Sequence, residues 1–196
     1  MASFEGDGFS TGTIDMMQLL DMYSAGCRDF SHLDFREAWM PGVCFPDVQL
    51  CYADLTCAHL PQAVLEGGNL TGAKLWRANL SEANLKRVNL ERSVLIRAHL
   101  ERADLSSARL RESDLRLANL RGSVLTGADL QRANLSYADL TGANLSGADL
   151  RYADLTRAIL VEADLTGAQL EGAILDRARL NPPVMAELDE PFKSLV

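Results

Sequence analysis

The sequence predicts an all-β solenoid, because one short pattern repeats along most of the chain. An apolar residue stands at every fifth position from Phe30 to Leu180 without an insertion or deletion, and from Leu50 onward it is always leucine. The residue two positions before it is small in nearly every repeat, and the residue directly before it is usually Asp or Asn. Strict self-similarity of this kind is typical of repeat architectures.

The period of five excludes both a long helix and a continuous strand. Five steps of about 100° would place successive leucines roughly 140° apart around a helix. A strand alternates with a period of two, so alternate leucines would point to opposite faces. The chain must therefore turn within each repeat. The small residue and the leucine point inward on a short extended edge, the Asp or Asn between them points outward, and the Gly, Ser or Thr residues that often follow suit a corner.

Runs such as ADLTGANL at residues 138–145 resemble the pentapeptide repeat family, whose motif is A(D/N)LXX. The resemblance extends over residues 26–185. It implies a right-handed quadrilateral parallel β-helix of about eight coils, with four five-residue units per coil. The leucines would fill the axis, and the small residues would lie beside them.

We expect a single domain, since the repeat has no break in which a boundary could lie. Residues 1–12 are expected to form a mobile leader, 13–25 an N-terminal capping helix, 26–185 the β-helix and 186–196 a C-terminal tail that caps the last coil. A helix before the first coil is also what the resemblance to cyanobacterial members of the family implies. With both ends covered, end-to-end stacking should be blocked and the rod monomeric.

The expected capping helix has start and stop signals. Thr13 can cap its N-terminus, and Gly26 can end it in the left-handed conformation that glycine tolerates. Ile14, Met17 and Leu20, which Tyr23 can extend, form the apolar stripe that we expect to face the first coil. That coil carries bulkier axial residues than later coils, which predicts a plug at the open end: Phe30, Phe35, Met40 and Phe45.

The composition argues against several kinds of partner. A net charge of −8 and a pI near 4.9 disfavour nonspecific nucleic-acid binding. No apolar run approaches the roughly 18 residues of a membrane span. The first 27 residues contain neither Lys nor Arg, unlike a signal peptide. We therefore expect a cytoplasmic protein of bacteria that contacts no membrane and no nucleic acid.

No constellation of residues indicates catalysis, a metal or a cofactor. The Asp residues before the leucines project from separate rungs of a convex surface, so no cleft gathers them for acid–base chemistry. The four cysteines belong to four different sides of the first two coils and cannot converge on one metal ion: Cys27, Cys44, Cys51 and Cys57. With no nucleophile–base pair and no phosphate loop, we predict that the protein is not an enzyme.

Four units per coil give the rod four faces, each built from units twenty residues apart. The first face begins with residues 26–30, the second with 31–35, the third with 36–40 and the fourth with 41–45. Their net charges are −1, −2, +4 and −3. The third face is therefore a basic surface on an acidic protein.

On the second face, opposite charges occupy equivalent positions of successive coils and should neutralise one another. The expected stacks are Arg92, Glu112 and Arg132 on three successive coils, Glu91 with Arg111, and Arg151 with Glu171. On the third face, Arg77 instead stacks on Arg97, and like charges at one strand spacing destabilise a surface unless solvent or a partner relieves them.

Exposed apolar residues accompany these third-face arginines, and aromatic residues with arginine are enriched at binding hot spots. The candidate partner-binding residues are Trp76, Arg77, Ile96, Arg97, His99, Leu117 and Tyr137. The simpler interpretation is that the third face is only solvated and that its exposed apolar residues are tolerated. If the face is used, it should prefer an acidic surface or segment that carries an apolar anchor.

The sequence thus indicates a non-catalytic protein-interaction scaffold with an unidentified protein partner. The alternative is a DNA-mimicking protein that inhibits or protects DNA gyrase, as in the branch of the family linked to quinolone resistance. That branch is strongly acidic, often has loops between its coils and dimerises through a C-terminal module. Here the repeats are unbroken and 11 residues follow Met185.

Overall fold

The computed structural model describes residues 16–181. One helix, α1 (Met16–Ser24), precedes a series of parallel coils. Each five-residue unit bridges the unit twenty residues further on, beginning with Asp29 and Gln49. Near the far end, the two-residue strands β1 (Ile159–Leu160) and β2 (Arg179–Leu180) pair in parallel at the same offset. Twenty residues, or four units, therefore make one coil.

Two predictions for the chain ends lie outside the described residues. These are the leader at 1–12 and the C-terminal tail at 186–196. The same holds for the first part of the predicted helix, including Thr13 and Ile14.

The backbone of each unit hydrogen-bonds to the coils on either side. In the unit 51–55, the Leu55 N–H donates to the Lys74 carbonyl of the next coil at 2.7 Å. The Asp54 N–H donates to the Leu33 carbonyl of the preceding coil at 2.9 Å. These bonds satisfy most of the polar backbone groups that a packed solenoid removes from water.

A tight turn joins successive units. The third residue of a unit donates its N–H to the preceding leucine carbonyl, as Ala53 does to Leu50 at 3.1 Å. The second residue has a positive φ in every unit from His32 to Arg177. Glycine fills nine of these second positions and a larger residue fills 21. The left-handed conformation costs a non-glycine residue roughly 1–2 kcal/mol, so the coils impose it against local preference.

The Asp or Asn before each leucine has a structural role that the sequence pattern alone does not reveal. Its side-chain oxygen accepts the backbone N–H two residues later, across the corner. Asp54 accepts from Thr56 at 3.1 Å, and Asn144 accepts from both the N–H and the hydroxyl of Ser146, at 2.9 and 2.7 Å. Where they form, these Asx turns satisfy the first amide of a unit, which neither the coil-to-coil bonds nor the turn bond to the preceding leucine carbonyl uses.

The core is a column along the axis. The leucines from Leu55 to Leu160 are all 0–2% exposed, which confirms their predicted axial position. Burial of one such side chain stabilises the fold by about 1.5–3 kcal/mol before entropic costs. In the last described coil, Leu165, Leu170 and Leu180 are only partly buried, whereas Leu175 is fully buried.

The helix α1 packs on the bulky first coil through a different face from the predicted one. Leu19 is buried against the cluster that contains Phe30, whereas Met17 is 67% exposed and Leu20 is 41% exposed. The predicted stripe was wrong for Met17 and Leu20, whereas Tyr23 does pack against the core. Apolar residues lie on both sides of this helix, and tertiary contact selects the side that includes Leu19 and Tyr23.

The end of α1 is a Schellman motif, as the glycine signal predicts. Gly26 has φ 95° and donates to the Tyr23 carbonyl at 3.0 Å, while the Cys27 N–H donates to the Met22 carbonyl at 3.0 Å. Arg28 adds a hydrogen bond of 2.8 Å to the Tyr23 carbonyl, where a cation also suits the helix dipole.

Candidate interaction surface

The units of the third face are held in register from one end of the described coils to the other. Parallel bridges at the fourth position of each unit connect successive coils, through Trp39, His59, Asn79, His99, Asn119, Asp139, Ile159 and Arg179. Residues twenty apart on this face are therefore neighbours at about one strand spacing, 4.8 Å.

A second line of residues on this face, which we call the axial row, occupies the second position in six successive coils. Its members are Arg77, Arg97, Leu117, Tyr137, Arg157 and Arg177. All six are exposed, and their φ angles lie between 54° and 61°. Backbone hydrogen bonds of 2.8–3.1 Å tie the row to the next coil. The six side chains thus leave the backbone from one shared conformation.

Four of the predicted site residues lie in or directly beside the first end of the axial row. The guanidinium carbon of Arg77 lies 4.4 Å from the centre of the Trp76 ring, in a cation–π contact. The Arg77 N–H donates to the Ile96 carbonyl at 3.0 Å, which places Ile96 directly beside it. Arg97 is exposed on the same coil as Ile96. The structure therefore brings Trp76, Arg77, Ile96 and Arg97 together on two neighbouring coils.

The remaining predicted site residues divide into two groups. Leu117 and Tyr137 continue the axial row and are 45% and 49% exposed. The guanidinium carbon of Arg157 lies 5.5 Å from the centre of the Tyr137 ring. His99 is also exposed, but its Nδ1 lies 3.4 Å from a carboxylate oxygen of Glu101 at the corner with the fourth face. His99 thus borders the cluster and faces away toward an acidic neighbour.

Most arginines and lysines in residues 16–181 form an ion pair, and the exceptions concentrate on the third face. Eleven of the eighteen pair with a carboxylate. Two of the other seven, Arg28 and Arg132, lie against tyrosine rings. The remaining five are all on the third face: Arg77, Arg97, Arg157, Arg177 and Arg179.

The third face keeps its basic character because its central carboxylate is already engaged. Arg121 of the fourth face pairs with Asp139 at 3.0 Å. Burial raises the pKa of Asp139, but hydrogen bonds from Thr141 and Arg121 outweigh it and hold the pKa below its ordinary value. The Asp139 charge is therefore directed to the corner rather than to the arginines of the axial row.

The second face neutralises its charges, but mostly across corners rather than along its stack. Arg92 and Glu112 form the predicted pair at 2.9 Å. Contrary to the prediction, Arg132 does not join this pair but lies 5.7 Å from the centre of the Tyr152 ring. The other two predicted pairs were wrong, because a neighbouring face offers a closer partner. Glu91 pairs with Arg109 in an ion pair that lacks hydrogen-bond geometry, Arg111 with Asp129 at 3.8 Å, and Arg151 with Asp149 at 2.6 Å.

Sequence reasoning missed Trp39, the most exposed large apolar side chain on this face. Trp39 is 68% exposed, and its ring stacks on that of His59 with centroids 3.9 Å apart and planes inclined by 8°. Asn79 in the next coil lies 3.4 Å from the His59 ring nitrogen. A search for aromatic residues at an offset of twenty would have found this pair.

The described residues hold no group of three or more His, Cys, Asp or Glu side chains arranged to bind a metal ion. The four cysteines are free thiols. In residues 16–181, no helix has the length and apolar character needed to cross a membrane.

Comparison with protein families gives one match. The family described as pentapeptide repeats matches in eight copies, over residues 44–81, 75–111, 83–122, 113–151 and 143–181. A comparison with curated proteins finds no match.

Several solved structures resemble the chain. HetL, a pentapeptide repeat protein involved in heterocyst differentiation regulation from the cyanobacterium Nostoc sp. strain PCC 7120, is 31% identical, with 85% of this chain and 94% of that chain covered and a TM-score of 0.37. The pentapeptide repeat protein alr5209 from Nostoc PCC 7120 is 28% identical, with 85% and 95% covered and a TM-score of 0.24. A trypsin-treated form of QnrB1, a plasmid-mediated fluoroquinolone resistance protein, is 18% identical, with 86% and 94% covered and a TM-score of 0.45.

Proposed function

We propose that this chain, which belongs to the pentapeptide repeat family, is a non-catalytic scaffold of the bacterial cytosol that binds another protein through its third face. One observation carries the proposal. Five of the seven Lys and Arg side chains without an ion pair in residues 16–181 lie on that face.

The physical argument concerns the free energy of a guanidinium group in two environments. An arginine already paired within the protein gains little from a partner's carboxylate, because it must give up its own. An arginine held only by water or by a ring retains that capacity, and its planar donors match a carboxylate in two parallel hydrogen bonds. Trp76 and Leu117 supply apolar area beside Arg77 and Arg97, as hot spots require.

For the scaffold itself we propose a right-handed quadrilateral β-helix of about eight coils that acts as a monomer. The twenty-residue offset of the parallel bridges and the buried leucine column support this architecture. A close-packed rod of this kind presents its surface side chains at fixed positions, which lowers the entropic cost of binding.

The test is capture of partners from extracts of the host bacterium. Immobilised wild-type protein is compared with the double variant Trp76→Ala/Arg97→Ala. Arg132→Ala serves as the matched control, because Arg132 is also a second-position arginine without an ion pair, but on the second face. Loss of a hot spot costs roughly 2 kcal/mol, or about thirtyfold in affinity. We expect one protein to be retained by wild type and control and lost from the double variant.

Equal melting temperatures for the three proteins would show that the variants are folded, since surface substitutions usually change stability by about 0.5 kcal/mol or less. A partner that the double variant retains, but that is lost when Glu82 or Glu162 of the fourth face is replaced by Gln, would overturn the proposal.

The alternative function is that of a DNA-mimicking gyrase-binding protein. A DNA mimic needs a continuous acidic surface, but twelve of the 21 acidic side chains in residues 16–181 lie within 4.0 Å of a cationic or histidine nitrogen. We therefore expect no effect on DNA supercoiling by gyrase at low micromolar concentrations of the protein. Inhibition or protection of gyrase at that concentration would favour the alternative.

A further inference from the structure

The axial row has a regular order of charge and apolarity. Along the rod it reads as two arginines, one leucine, one tyrosine and two arginines, each in a successive coil. None of its four arginines forms an ion pair within residues 16–181. The row is therefore an apolar centre between two cationic ends.

The row keeps these side chains where the backbone favours glycine. All nine glycines at second positions of the units lie on the first, second and fourth faces. The third face has none, although φ at Arg97 and Leu117 is 58° and 60°. Residues held in this conformation at a cost in stability cluster at functional sites. Larger residues hold this conformation at 13 second positions of the other faces as well, so what distinguishes the third face is that glycine occupies none of its eight second positions from Glu37 to Arg177.

We infer that the axial row binds an extended segment of a partner protein that is acidic at both ends and apolar in the middle. The segment lies along the long axis of the rod. This inference rests on the proposed function and specifies the chemistry of its partner. The arginines at the two ends of the row are complementary to acidic residues at the ends of the segment. The exposed Tyr137 ring and the exposed Leu117 side chain argue for an apolar centre.

The spacing of the coils sets the length of the segment. Five intervals of about 4.8 Å separate Arg77 from Arg177, which gives a span of roughly 24 Å. An extended peptide advances about 3.3 Å per residue, so seven or eight residues would cover the row. Its terminal carboxylates would reach the arginine pairs. Because side chains of an extended peptide alternate between two sides, two apolar side chains two residues apart at its centre would lie on Leu117 and Tyr137.

The charges beside the row favour the axial direction over a transverse one. Arg116, on the same coil as Leu117, is paired with Asp114 at 2.7 Å. Arg121, at the next corner, is paired with Asp139 at 3.0 Å. A segment that crossed the coils would meet these neutralised groups, whereas a segment along the row meets arginines that have no competing carboxylate.

The probe for the test is a fluorescein-labelled peptide, Asp-Glu-Leu-Gly-Phe-Gly-Glu-Asp, in which an acidic residue, Leu, Phe and a second acidic residue share one side of the extended chain. Its binding to the full-length protein is followed by fluorescence anisotropy. A peptide of the same composition, with the four acidic residues together in the centre, is the matched control probe. We expect the rearranged peptide to bind at least about tenfold more weakly, because its carboxylates would lie over the apolar centre.

Three protein variants complete the design. Arg97→Glu/Arg157→Glu places repulsive charges at both ends and should weaken binding of the first peptide by at least about tenfold. Leu117→Gly/Tyr137→Gly removes the apolar centre and should weaken it by a similar factor without lowering the melting temperature. Arg132→Glu is the matched control, because Arg132 has φ 57° and lies 5.7 Å from the Tyr152 ring, much as Arg157 lies near Tyr137. It should change binding less than about twofold.

The inference is overturned if the two peptides bind equally, or if both double variants bind as wild type does. Tighter binding of an eight-nucleotide single-stranded DNA than of the first peptide would also overturn it, in favour of a nucleic-acid partner. The outcome can be separated from that of the proposed function. If a captured protein depends on Trp76 and Arg97 but neither peptide binds, the scaffold proposal stands and the axial segment is wrong.

Discussion

The ring of Tyr152 lies over Gly172, at the equivalent position of the next coil. A Cβ atom added to Gly172 would lie 2.5 Å from Cδ1 of the tyrosine. Tyr52 covers Gly72 in the same manner on the same face. In both places the ring shields a turn whose second residue has a positive φ and no side chain, so the glycine serves packing as well as backbone conformation.

Gly72→Ala should destabilise the protein more than Gly142→Ala. At Gly142 a new Cβ meets nothing within 4 Å, so the cost is that of alanine at φ 66°, about 1 kcal/mol. At Gly72 the methyl group must also displace the Tyr52 ring, which adds roughly 0.5–1 kcal/mol. Chemical denaturation of the two variants measures the difference in unfolding free energy.

A double-mutant cycle isolates the ring contact. In a Tyr52→Ala background the extra cost of Gly72→Ala should disappear, so both glycine variants should lose about 1 kcal/mol. An extra cost that survives removal of the ring would assign it to the backbone at Gly72 instead.

Asn144→Ala should lower the unfolding free energy by about 1 kcal/mol, because the Ser146 N–H loses its acceptor across the corner. Asn144→Asp should cost less than Asn144→Ala, since the carboxylate offers the same oxygen and only its repulsion from Asp164, one strand spacing away, opposes this. Thermal melts of the two variants compare loss of the side-chain acceptor oxygen with its retention. An alanine variant as stable as wild type would mean that water replaces the side-chain acceptor without cost.

Leu115→Asp should abolish the cooperative melt or soluble expression. Leu115 is 1% exposed on the axis, and a carboxylate there would have neither water nor a cation. The milder Leu115→Ala should cost roughly 2–5 kcal/mol. The control is Leu117→Asp, two residues away on the surface, which should change stability by about 0.5 kcal/mol or less. Circular dichroism melts measure all three, and an unchanged curve for Leu115→Asp would contradict the axial assignment.

The stability of the fold should fall on acidification below about pH 4. Hydrogen bonds from the side chain and then the backbone of Arg36 lower the pKa of Asp34 from 3.8 to about 2. A carboxyl group with a lowered folded pKa contributes stability above pH 3.8 that is lost as the pH falls toward 2. Asp29, Asp104, Asp139, Asp149 and Asp164 have pKa values lowered in the same direction.

Melting temperatures measured from pH 7 to pH 2 test this dependence. Asp34→Asn should slightly reduce the fall in melting temperature between pH 7 and pH 2, because the Asn amide does not titrate. The effect of one residue is small, since the Arg36 and Asp34 side chains are 61% and 39% exposed and solvent screens their attraction. A melting temperature that rises between pH 4 and pH 2 would contradict the assignment of the lowered pKa values.

Residue periodicity alone predicts the axial column, and the structure confirms it. A leucine at every fifth position cannot lie on one side of a helix or a strand, so Leu55 and Leu115 had to occupy the inside of a chain that turns within each unit. The same reasoning places Asp54 and Asn144 on the outside. Their hydrogen bonds across the corner became visible only with the backbone path.

Local preference does not predict the conformation of the second position. Arg97, Leu117 and Tyr137 all avoid positive φ in isolation, yet each adopts it here. Coil-to-coil hydrogen bonds and the buried axis outweigh the local cost, and these depend on residues twenty positions away. The parallel alignment of the axial row is therefore a property of the tertiary structure.

The ion pairs of the surface are likewise predicted only in part from the sequence. Residue type and the twenty-residue offset were enough to place Arg92 beside Glu112 and to locate the basic third face. Which carboxylate an arginine pairs with depends on the distances between side chains across a corner. Arg151, for example, pairs with Asp149 of the neighbouring face. Long flexible side chains reach partners on two faces, so only the folded corners decide between them, whereas the buried leucines have a single place in which they can avoid water.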